Sequence, residues 1–282
     1  MLLERPGHPA LHAVIDDHTD PWRRDVPWVV LQHGYARSHR FFQAWVPTLS
    51  RHTRVIRPDL RGFGDSPRLA DPDREMTVEG LLDDVGAVID HLGDAAPVHY
   101  VGESLSGLIA LLFAARHPGR LRSLTLLSAP LAFPAPARDA FALGHPSWIA
   151  ALRALGSRGW AERVGAATRF PPEADPGLVA WYAEESGKAD VATMIAVARF
   201  CETLDAGPVL DRVTLPVLGL YPDGGPITGP QEARLRAGIP HIRMHHLPTG
   251  FHAIQVLMPD ACARTVLEFC REVDGAGGRF AA

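Results

Sequence analysis

Apolar residues along the chain alternate between short unbroken runs and helical spacings. The unbroken runs are typical of buried strands. Between the runs, apolar positions three and four residues apart predict helices. The clearest helix covers 78–92, with Thr77 suited to cap its start and Gly93 to end it. The alternation predicts a mainly parallel sheet with helices on both faces. The strand-like runs lie at 28–32, 55–56, 98–101, 121–127, 215–221 and 242–247, after one or two edge strands in 1–25.

Segment 131–207 interrupts this alternation. It contains Trp148, Trp160 and Trp181, several prolines and short helical patches, without a strand signal. We therefore expect a core domain formed by 1–130 and 208–282, with 131–207 inserted as a helical cap. Ligands of such sheets bind beyond the carboxyl ends of the strands, so the cap is expected to cover that edge.

The stretch 98–113 carries the strongest chemical signal. An apolar strand turns sharply through 102–107 and continues as an apolar helix, which is the context of a nucleophile elbow. Ser104 would occupy the tip, with Gly102, Ser106 and Gly107 kept small so that strand and helix can approach. Ser106 stands where the G-x-S-x-G pattern has its second glycine. The alternative is a surface serine in an ordinary glycine-containing loop.

A serine hydroxyl needs a base, and histidine can take and return its proton near neutral pH. Among the 14 histidines, His252 stands out because it lies in the loop before the last helix. His245 and His246 lie on the last predicted strand and are expected to be structural. His33 follows the first long strand and is expected to shape a loop.

Composition narrows the function classes. The 282 residues are 46% hydrophobic and 21% charged with a net charge of −4, which predicts a packed core and gives no argument for nucleic-acid or membrane binding. The three cysteines are expected to be buried and reduced, and the N-terminus lacks a signal-peptide pattern, so we expect a cytoplasmic protein. No metal-ligand spacing and no dinucleotide or phosphate-loop motif occurs, so no metal and no cofactor is expected. The sequence leaves open whether the chain forms a homodimer.

Four motifs together resemble the α/β-hydrolase fold superfamily. They are His33-Gly34, the run Asp-Leu-Arg-Gly-Phe-Gly-Asp-Ser at 59–66, the elbow at 102–107, and Gly250-Phe251-His252. The chain looks most like small bacterial 3-oxoadipate enol-lactonases, carboxylesterases and meta-cleavage C–C hydrolases. The resemblance implies a mostly parallel eight-stranded sheet flanked by helices, with the cap inserted. A serine at the elbow argues against haloalkane dehalogenases and epoxide hydrolases, which use Asp there.

The resemblance also implies roles for individual residues. Ser104 would be the nucleophile and His252 the base, with the backbone N–H groups of Tyr35 and Leu105 forming the oxyanion hole. Glu103 adjoins the nucleophile, where it could tune the site electrostatically or have a structural role. Contacts with substrate are expected from His33, Gly34, Glu103, Trp148 and Trp181.

The third member of the triad departs from the family pattern. If Pro226 aligns with the family's proline, Gly225 occupies the position of the acid. Asp223 is the only carboxylate of the loop 221–228, and the neighbouring glycines could let it reach His252. Residues 128–130 after the preceding strand offer no carboxylate. We therefore expect Asp223 as the acid, with a Ser104–His252 dyad as the alternative.

These features predict a serine hydrolase that forms an acyl-enzyme from a small, partly apolar ester or enol-lactone. A meta-cleavage-type C–C bond hydrolase remains an alternative. A non-catalytic, ligand-binding relative is the second class, made plausible by the irregular acid loop. The expected partner is a small molecule, without nucleic acid or membrane.

Overall fold

The computed structural model describes residues 1–93, 96–224 and 229–277. Eight strands form one sheet in the order β1-β2-β4-β3-β5-β6-β7-β8. Strand β2 pairs antiparallel with β1 and β4, and all the other pairs are parallel. The predicted mostly parallel eight-stranded sheet is thus confirmed. The strands are β1 (Leu2–Leu3), β2 (Leu11–Asp16), β3 (Trp28–Gln32), β4 (Arg54–Pro58), β5 (Val98–Glu103), β6 (Leu121–Leu127), β7 (Val217–Pro222) and β8 (Arg243–Leu247).

Helices cover both faces of the sheet. Their bounds are α1 (Val46–Leu49), α2 (Pro72–Glu75), α3 (Val78–His91), α4 (Leu105–Arg116), α5 (Ala135–Ala142), α6 (Trp148–Val164), α7 (Pro176–Gly187), α8 (Val191–Cys201), α9 (Pro230–Gly238), α10 (Ile254–Leu257) and α11 (Pro259–Gly277). Short 3₁₀ helices cover His39–Trp45 and Gly207–Arg212, and a π-helical turn covers Gly165–Arg169. The 3₁₀ helix at His39–Trp45 continues directly into α1. As predicted, the Thr77 side chain caps α3 by accepting from the Gly80 N–H.

Strand β5 lies in the interior of the sheet, and all six of its residues are buried. One apolar cluster, which includes Tyr100 and Leu108, joins one face of the sheet to α3, α4 and the segment after β6. A second cluster, which includes Val101 and Val266, joins the other face to α11. The three cysteines are buried and free, as the sequence predicted. Burial on both faces fixes the end of β5, and hence Ser104, in the middle of one sheet edge.

A buried aspartate holds together the loops that follow β3 and β4. Asp59 accepts hydrogen bonds from the N–H groups of His39 and Asp65, at 2.6 and 3.0 Å. Its Oδ2 also lies 2.8 Å from the Nδ1 atoms of His12 and His39. Because these groups stabilise the anion in spite of its burial, the pKa of Asp59 lies well below its usual value. Four potential metal ligands meet here, yet the Asp59 oxygens are already engaged, so the cluster serves to fix the loops.

Segment 131–207 contains α5 to α8 and the π-helical turn, and it lies between β6 and β7. It is tied to the rest of the chain by polar contacts. Glu185 on α7 accepts from Ser38 Oγ and Arg40 Nη1, at 3.1 and 3.0 Å. The Tyr35 hydroxyl donates to the Met194 carbonyl at 3.0 Å. These contacts seat the segment over the loop after β3, beside Ser104.

Among the described helices, none combines the length and the apolar character that a membrane crossing requires.

Candidate active site

Ser104 lies at a strained turn between β5 and α4. Its φ of 52° and ψ of −118° fall in a region that residues other than glycine rarely adopt. The turn is held by a 2.9 Å hydrogen bond from the Ser104 N–H to the Leu127 carbonyl. A Cβ on Gly102 would lie 2.6 Å from the Gly107 Cα, so the strand and the helix can only approach because Gly102 has none. The structure thus places Ser104 at the tip that the sequence predicted.

Ser106 is not available as an alternative nucleophile. It is buried, and its hydroxyl donates to the His33 carbonyl at 2.6 Å. This hydrogen bond ties the first turn of α4 to the loop after β3. The departure from the G-x-S-x-G pattern therefore has a structural reason, since the second small residue fastens the neighbouring loop.

The loop after β3 passes directly over Ser104. The Gly34 N–H donates to Glu103 Oε2 at 2.7 Å, and a Cβ on Gly34 would lie 2.9 Å from the Ser104 Cβ. In the part of the chain that the structure describes, no protein group accepts from the backbone N–H of Tyr35 or Leu105. Leu105 follows Ser104 in the chain and Tyr35 follows Gly34, so these two N–H groups are the candidates for an oxyanion hole.

His33 has a structural role, and its expected contact with substrate needs correction. Its side chain is fully buried. Its Nε2 accepts from the Leu60 N–H at 3.0 Å, so the proton is on Nδ1, which donates to the Gly34 carbonyl at 2.8 Å. With both ring nitrogens engaged, His33 fixes the loop that carries Tyr35.

His252 lies in a buried position next to the elbow. Its backbone N–H donates to the Thr168 carbonyl at 3.1 Å, which ties the loop before α10 to segment 131–207. Neither ring nitrogen has a hydrogen-bond partner among the described residues. Burial and the positive charge of Arg169 lower the pKa of His252 to about 4, so the imidazole is neutral near pH 7. A neutral, unpartnered imidazole is able to accept a proton.

The carboxylate beside this histidine belongs to Glu103. Its Oε1 lies 3.6 Å from His252 Nε2, and Arg37 Nη1 donates to both carboxylate oxygens at 2.7 and 2.8 Å. Burial opposes ionisation, but the charge of Arg37 and the contact with His252 outweigh it and lower the pKa of Glu103 to about 2. Glu103 is fully buried, so it acts on the neighbouring groups and does not contact substrate, contrary to our expectation.

The structure does not bring Asp223 to His252. The side chain of Asp223 is exposed, and its backbone N–H bonds to the Leu247 carbonyl at 2.8 Å as a continuation of β7. His252 Nδ1, which Asp223 was expected to contact, has no partner in the described ranges 1–93, 96–224 and 229–277. Gly225 and Pro226, the residues that were compared with the family's acid and proline, lie outside those ranges. The geometry therefore corrects the expected Asp223–His252 contact, and Glu103 is the carboxylate within 4 Å of His252 in the described chain.

A small cavity of about 60 Å³ opens beside Ser104 and His252. Phe133 and Phe141 provide apolar walls, and Thr168 and Arg169 provide the polar part. Segment 131–207 thus contributes to the walls of the cavity beside Ser104. Sequence reasoning missed Arg169 and Arg37, since no motif marks either residue. Segment 131–207 contains six arginines, and nothing in the sequence distinguishes Arg169 among them.

The two tryptophans that were expected to contact substrate do not line the cavity. Trp148 is buried, with its ring centroid 4.8 Å from that of Phe141 and 5.1 Å from that of Tyr35, so it supports the Phe141 wall from behind. Trp181 packs against Phe41, with ring centroids 4.7 Å apart, and Phe41 is not a lining residue.

Comparisons with known proteins agree with this geometry. The family model of the alpha/beta hydrolase fold matches residues 27–259. A pimeloyl-[acyl-carrier protein] methyl ester esterase of Neisseria meningitidis is 32% identical over 214 residues, covering 72% of this chain and 77% of its own length. A putative carbamate hydrolase of Variovorax paradoxus is 29% identical over 266 residues, covering 88% of this chain and 93% of its own.

Solved structures show the same fold. The enol-lactonase of Burkholderia xenovorans superimposes with a TM-score of 0.79 at 24% identity, covering 93% of this chain and 97% of its own. The elbow at Ser104, the loop after β3 that passes over it, and His252 before the last helices agree with the family match. The chain therefore belongs to the α/β-hydrolase family.

Proposed function

We propose that the protein is a serine hydrolase that cleaves an ester bond of a small, partly apolar molecule through an acyl-enzyme on Ser104. The observation that carries the proposal is the strained, cavity-facing position of Ser104, between two unengaged backbone N–H groups and a neutral His252. The esterase and carbamate hydrolase among the relatives support the reaction class. A lactone is an ester within a ring, so the same chemistry would open an enol-lactone.

The reaction would proceed in two halves. His252 takes the proton of Ser104 while the oxygen attacks the ester carbonyl, and the N–H groups of Tyr35 and Leu105 stabilise the oxyanion. His252 then returns the proton to the leaving alcohol. Water attacks the acyl-enzyme in the second half, with His252 again as the base. Glu103 remains ionised and stabilises the imidazolium across 3.6 Å.

A non-catalytic, ligand-binding protein is the second candidate. The observation in its favour is the exposed Asp223 together with the unpartnered Nδ1 of His252. These features leave the histidine without the carboxylate that usually orients its ring. We favour catalysis because Glu103 provides a negative charge on the other side of the same ring.

Turnover of p-nitrophenyl esters distinguishes the two candidates. Ser104→Ala should lower turnover by several orders of magnitude, up to about 10⁶-fold, while the protein stays folded. Ser106→Ala should retain catalysis, because the Ser106 hydroxyl is committed to the His33 carbonyl. Equal turnover by wild type and Ser104→Ala would refute the proposed nucleophile.

A further inference from the structure

Three ionised side chains meet around His252 without balancing their charges. Arg37 and Glu103 form an ion pair, with both carboxylate oxygens within 2.8 Å of Arg37 Nη1. Arg169 is only 6% exposed and has no carboxylate within 4 Å among the described residues. The group therefore keeps one uncompensated positive charge in a buried place. A buried ion without a counter-ion is costly, which points to a ligand that supplies the opposite charge.

Arg169 also has unused hydrogen-bonding capacity. Its Nη1 donates to Thr168 Oγ1 at 3.1 Å, and Tyr182 lies against the guanidinium. Its Nε is buried and has no partner in the described chain. The guanidinium carbon lies 5.4 Å from the centre of the Phe141 ring, which holds the planar group in place. Buried polar atoms are rarely left unpaired, so this Nε is a binding group for which the described residues provide no acceptor.

The position of Arg169 relates this charge to the reacting groups. Arg169 lines the same cavity as Ser104 and His252. It ends the π-helical turn Gly165–Arg169, and the carbonyl of the preceding Thr168 accepts from the His252 N–H. The hydrogen bond between Thr168 and His252 therefore fixes the position of the Arg169 guanidinium relative to His252. A molecule bound with its ester at Ser104 would reach Arg169 across the phenylalanine-lined space.

On the basis of the proposed function, we propose that the substrate is an ester carrying a carboxylate, and that Arg169 is its counter-ion in the acyl pocket. A planar guanidinium binds a carboxylate through paired, charge-assisted hydrogen bonds. The small cavity favours a carboxylate over a larger phosphate group. The phenylalanines then enclose the short apolar chain between the two polar ends.

The same contact would assist catalysis. Burial and Arg169 together lower the pKa of His252, Glu103 raises it, and Arg37 lowers it further. A bound carboxylate neutralises Arg169 and so makes His252 a stronger base in the complex. Anionic esters should therefore show a higher kcat as well as a lower KM. Simple attraction of an anion to the pocket would lower KM without raising kcat.

A pair of esters of equal chain length tests the proposal. Mono-p-nitrophenyl glutarate carries the carboxylate, and p-nitrophenyl pentanoate lacks it. The wild type should prefer the glutarate ester by about 10- to 100-fold in kcat/KM, the range of one charge-assisted interaction. Arg169→Gln should abolish the preference, measured as the ratio of kcat/KM for the glutarate ester to kcat/KM for the pentanoate ester within the variant, so that any general effect of the substitution on turnover cancels. Arg169→Lys should restore part of the preference, because it keeps the charge but loses the planar fork.

Arg158→Gln is the matched control, since Arg158 is exposed on α6 and pairs with Glu162. It should leave the preference unchanged. An equal rate on both esters in the wild type, or a preference that persists in Arg169→Gln, would overturn the proposal while leaving the proposed hydrolase intact.

A binding measurement separates this proposal from the chemistry. Glutarate should raise the melting temperature of the wild type but not that of Arg169→Gln, because a ligand that binds the folded state stabilises it. This result would support the subsite even if neither ester were hydrolysed. The absence of any glutarate effect on a folded wild type would contradict it. Arg169→Gln removes an unpaired buried charge, so the variant is expected to fold at least as stably as the wild type.

Discussion

Glu103 lies at the point where the site departs from the usual triad. It precedes Ser104 at the position that the G-x-S-x-G pattern leaves unspecified, yet it is fully buried and contacts Gly34, Arg37 and His252. One carboxylate thus holds Gly34 over Ser104 and places a negative charge beside the base. At the scale of single residues, we therefore propose that Glu103 stabilises the positive charge that would form on His252. Asp223 is exposed and does not contact His252.

Two carboxylate variants test this assignment. Glu103→Gln should lower kcat by about 10² to 10⁴-fold, because the imidazolium loses its stabilising charge. Asp223→Asn should change kcat by less than about tenfold, equal to roughly 1.4 kcal/mol of barrier. Steady-state kinetics on a p-nitrophenyl ester measures both variants, with circular dichroism as the check on folding.

The pH dependence of kcat/KM distinguishes an electrostatic effect of Glu103 on His252 from a purely structural effect of the substitution. Loss of the Glu103 charge should lower the pKa of His252 and move the acid limb of kcat/KM to lower pH. A large loss of kcat in Asp223→Asn, with the kcat of Glu103→Gln close to that of the wild type, would identify Asp223 as the acid.

At the scale of elements, the elbow depends on the close approach of β5 and α4. A Cβ on Gly102 would lie 2.6 Å from the Gly107 Cα and 2.7 Å from its nitrogen. These are backbone atoms, so they cannot move aside without shifting α4, which begins at Leu105. The strain at Ser104 is therefore maintained by packing around the turn.

Gly102→Ala should destabilise the protein by about 1–3 kcal/mol through overpacking, and it should displace Ser104. Gly86→Ala is the matched control on α3, where a Cβ would lie 3.8 Å from Phe113 in ordinary contact. It should stabilise the protein by about 0.4–1 kcal/mol. Urea unfolding of both variants measures the difference, and equal stabilities would contradict the packing argument.

The elements themselves followed from the sequence where local signals were strong. The strand at 28–32, the strand at 121–127 and the cap at Thr77 appear at the predicted positions. The elbow was predictable because small residues flank Ser104 at fixed offsets.

The acid was not predictable, because its identity depends on three-dimensional placement. Asp223 stands next to Gly224, and glycine allows many backbone conformations. The local sequence therefore does not determine whether the Asp223 side chain points toward His252 or toward solvent. Glu103 stands at a position that the G-x-S-x-G pattern leaves unspecified, so no motif predicts which way its side chain points. Its inward orientation depends on the contacts with Arg37 and Gly34, which only the folded structure shows. Arg169 lies in segment 131–207, whose composition indicated an apolar pocket but did not reveal a charge inside it.

At the scale of the whole molecule, buried titratable groups make stability depend on pH. The pKa of His252 is lowered to about 4 from 6.5, and that of Glu103 to about 2 from 4.5. In both cases the folded pKa lies below the unfolded value, so the unfolded chain binds more protons as the pH falls. The stabilisation that depends on these two groups is fully present above about pH 6.5. As the pH falls, it is lost first because unfolding lets His252 take up a proton, and then because unfolding lets Glu103 take one up.

Urea midpoints measured between pH 7 and pH 4 should fall steadily as the pH decreases. His252→Gln should flatten the upper part of this slope, from about pH 6.5 to pH 4. His245→Gln serves as the control because its side chain is exposed. A slope that is identical in wild type and His252→Gln would show that His252 is not a buried neutral group.

The claim on which the whole account depends is that Ser104 is an activated nucleophile. A fluorophosphonate probe, followed by peptide mapping of the adduct, tests it directly, because such probes label serines that a base activates. The account predicts one adduct per chain, located on Ser104, present in Ser106→Ala and absent from Ser104→Ala. An adduct on Ser106, or a folded wild type that remains unlabelled, would contradict it.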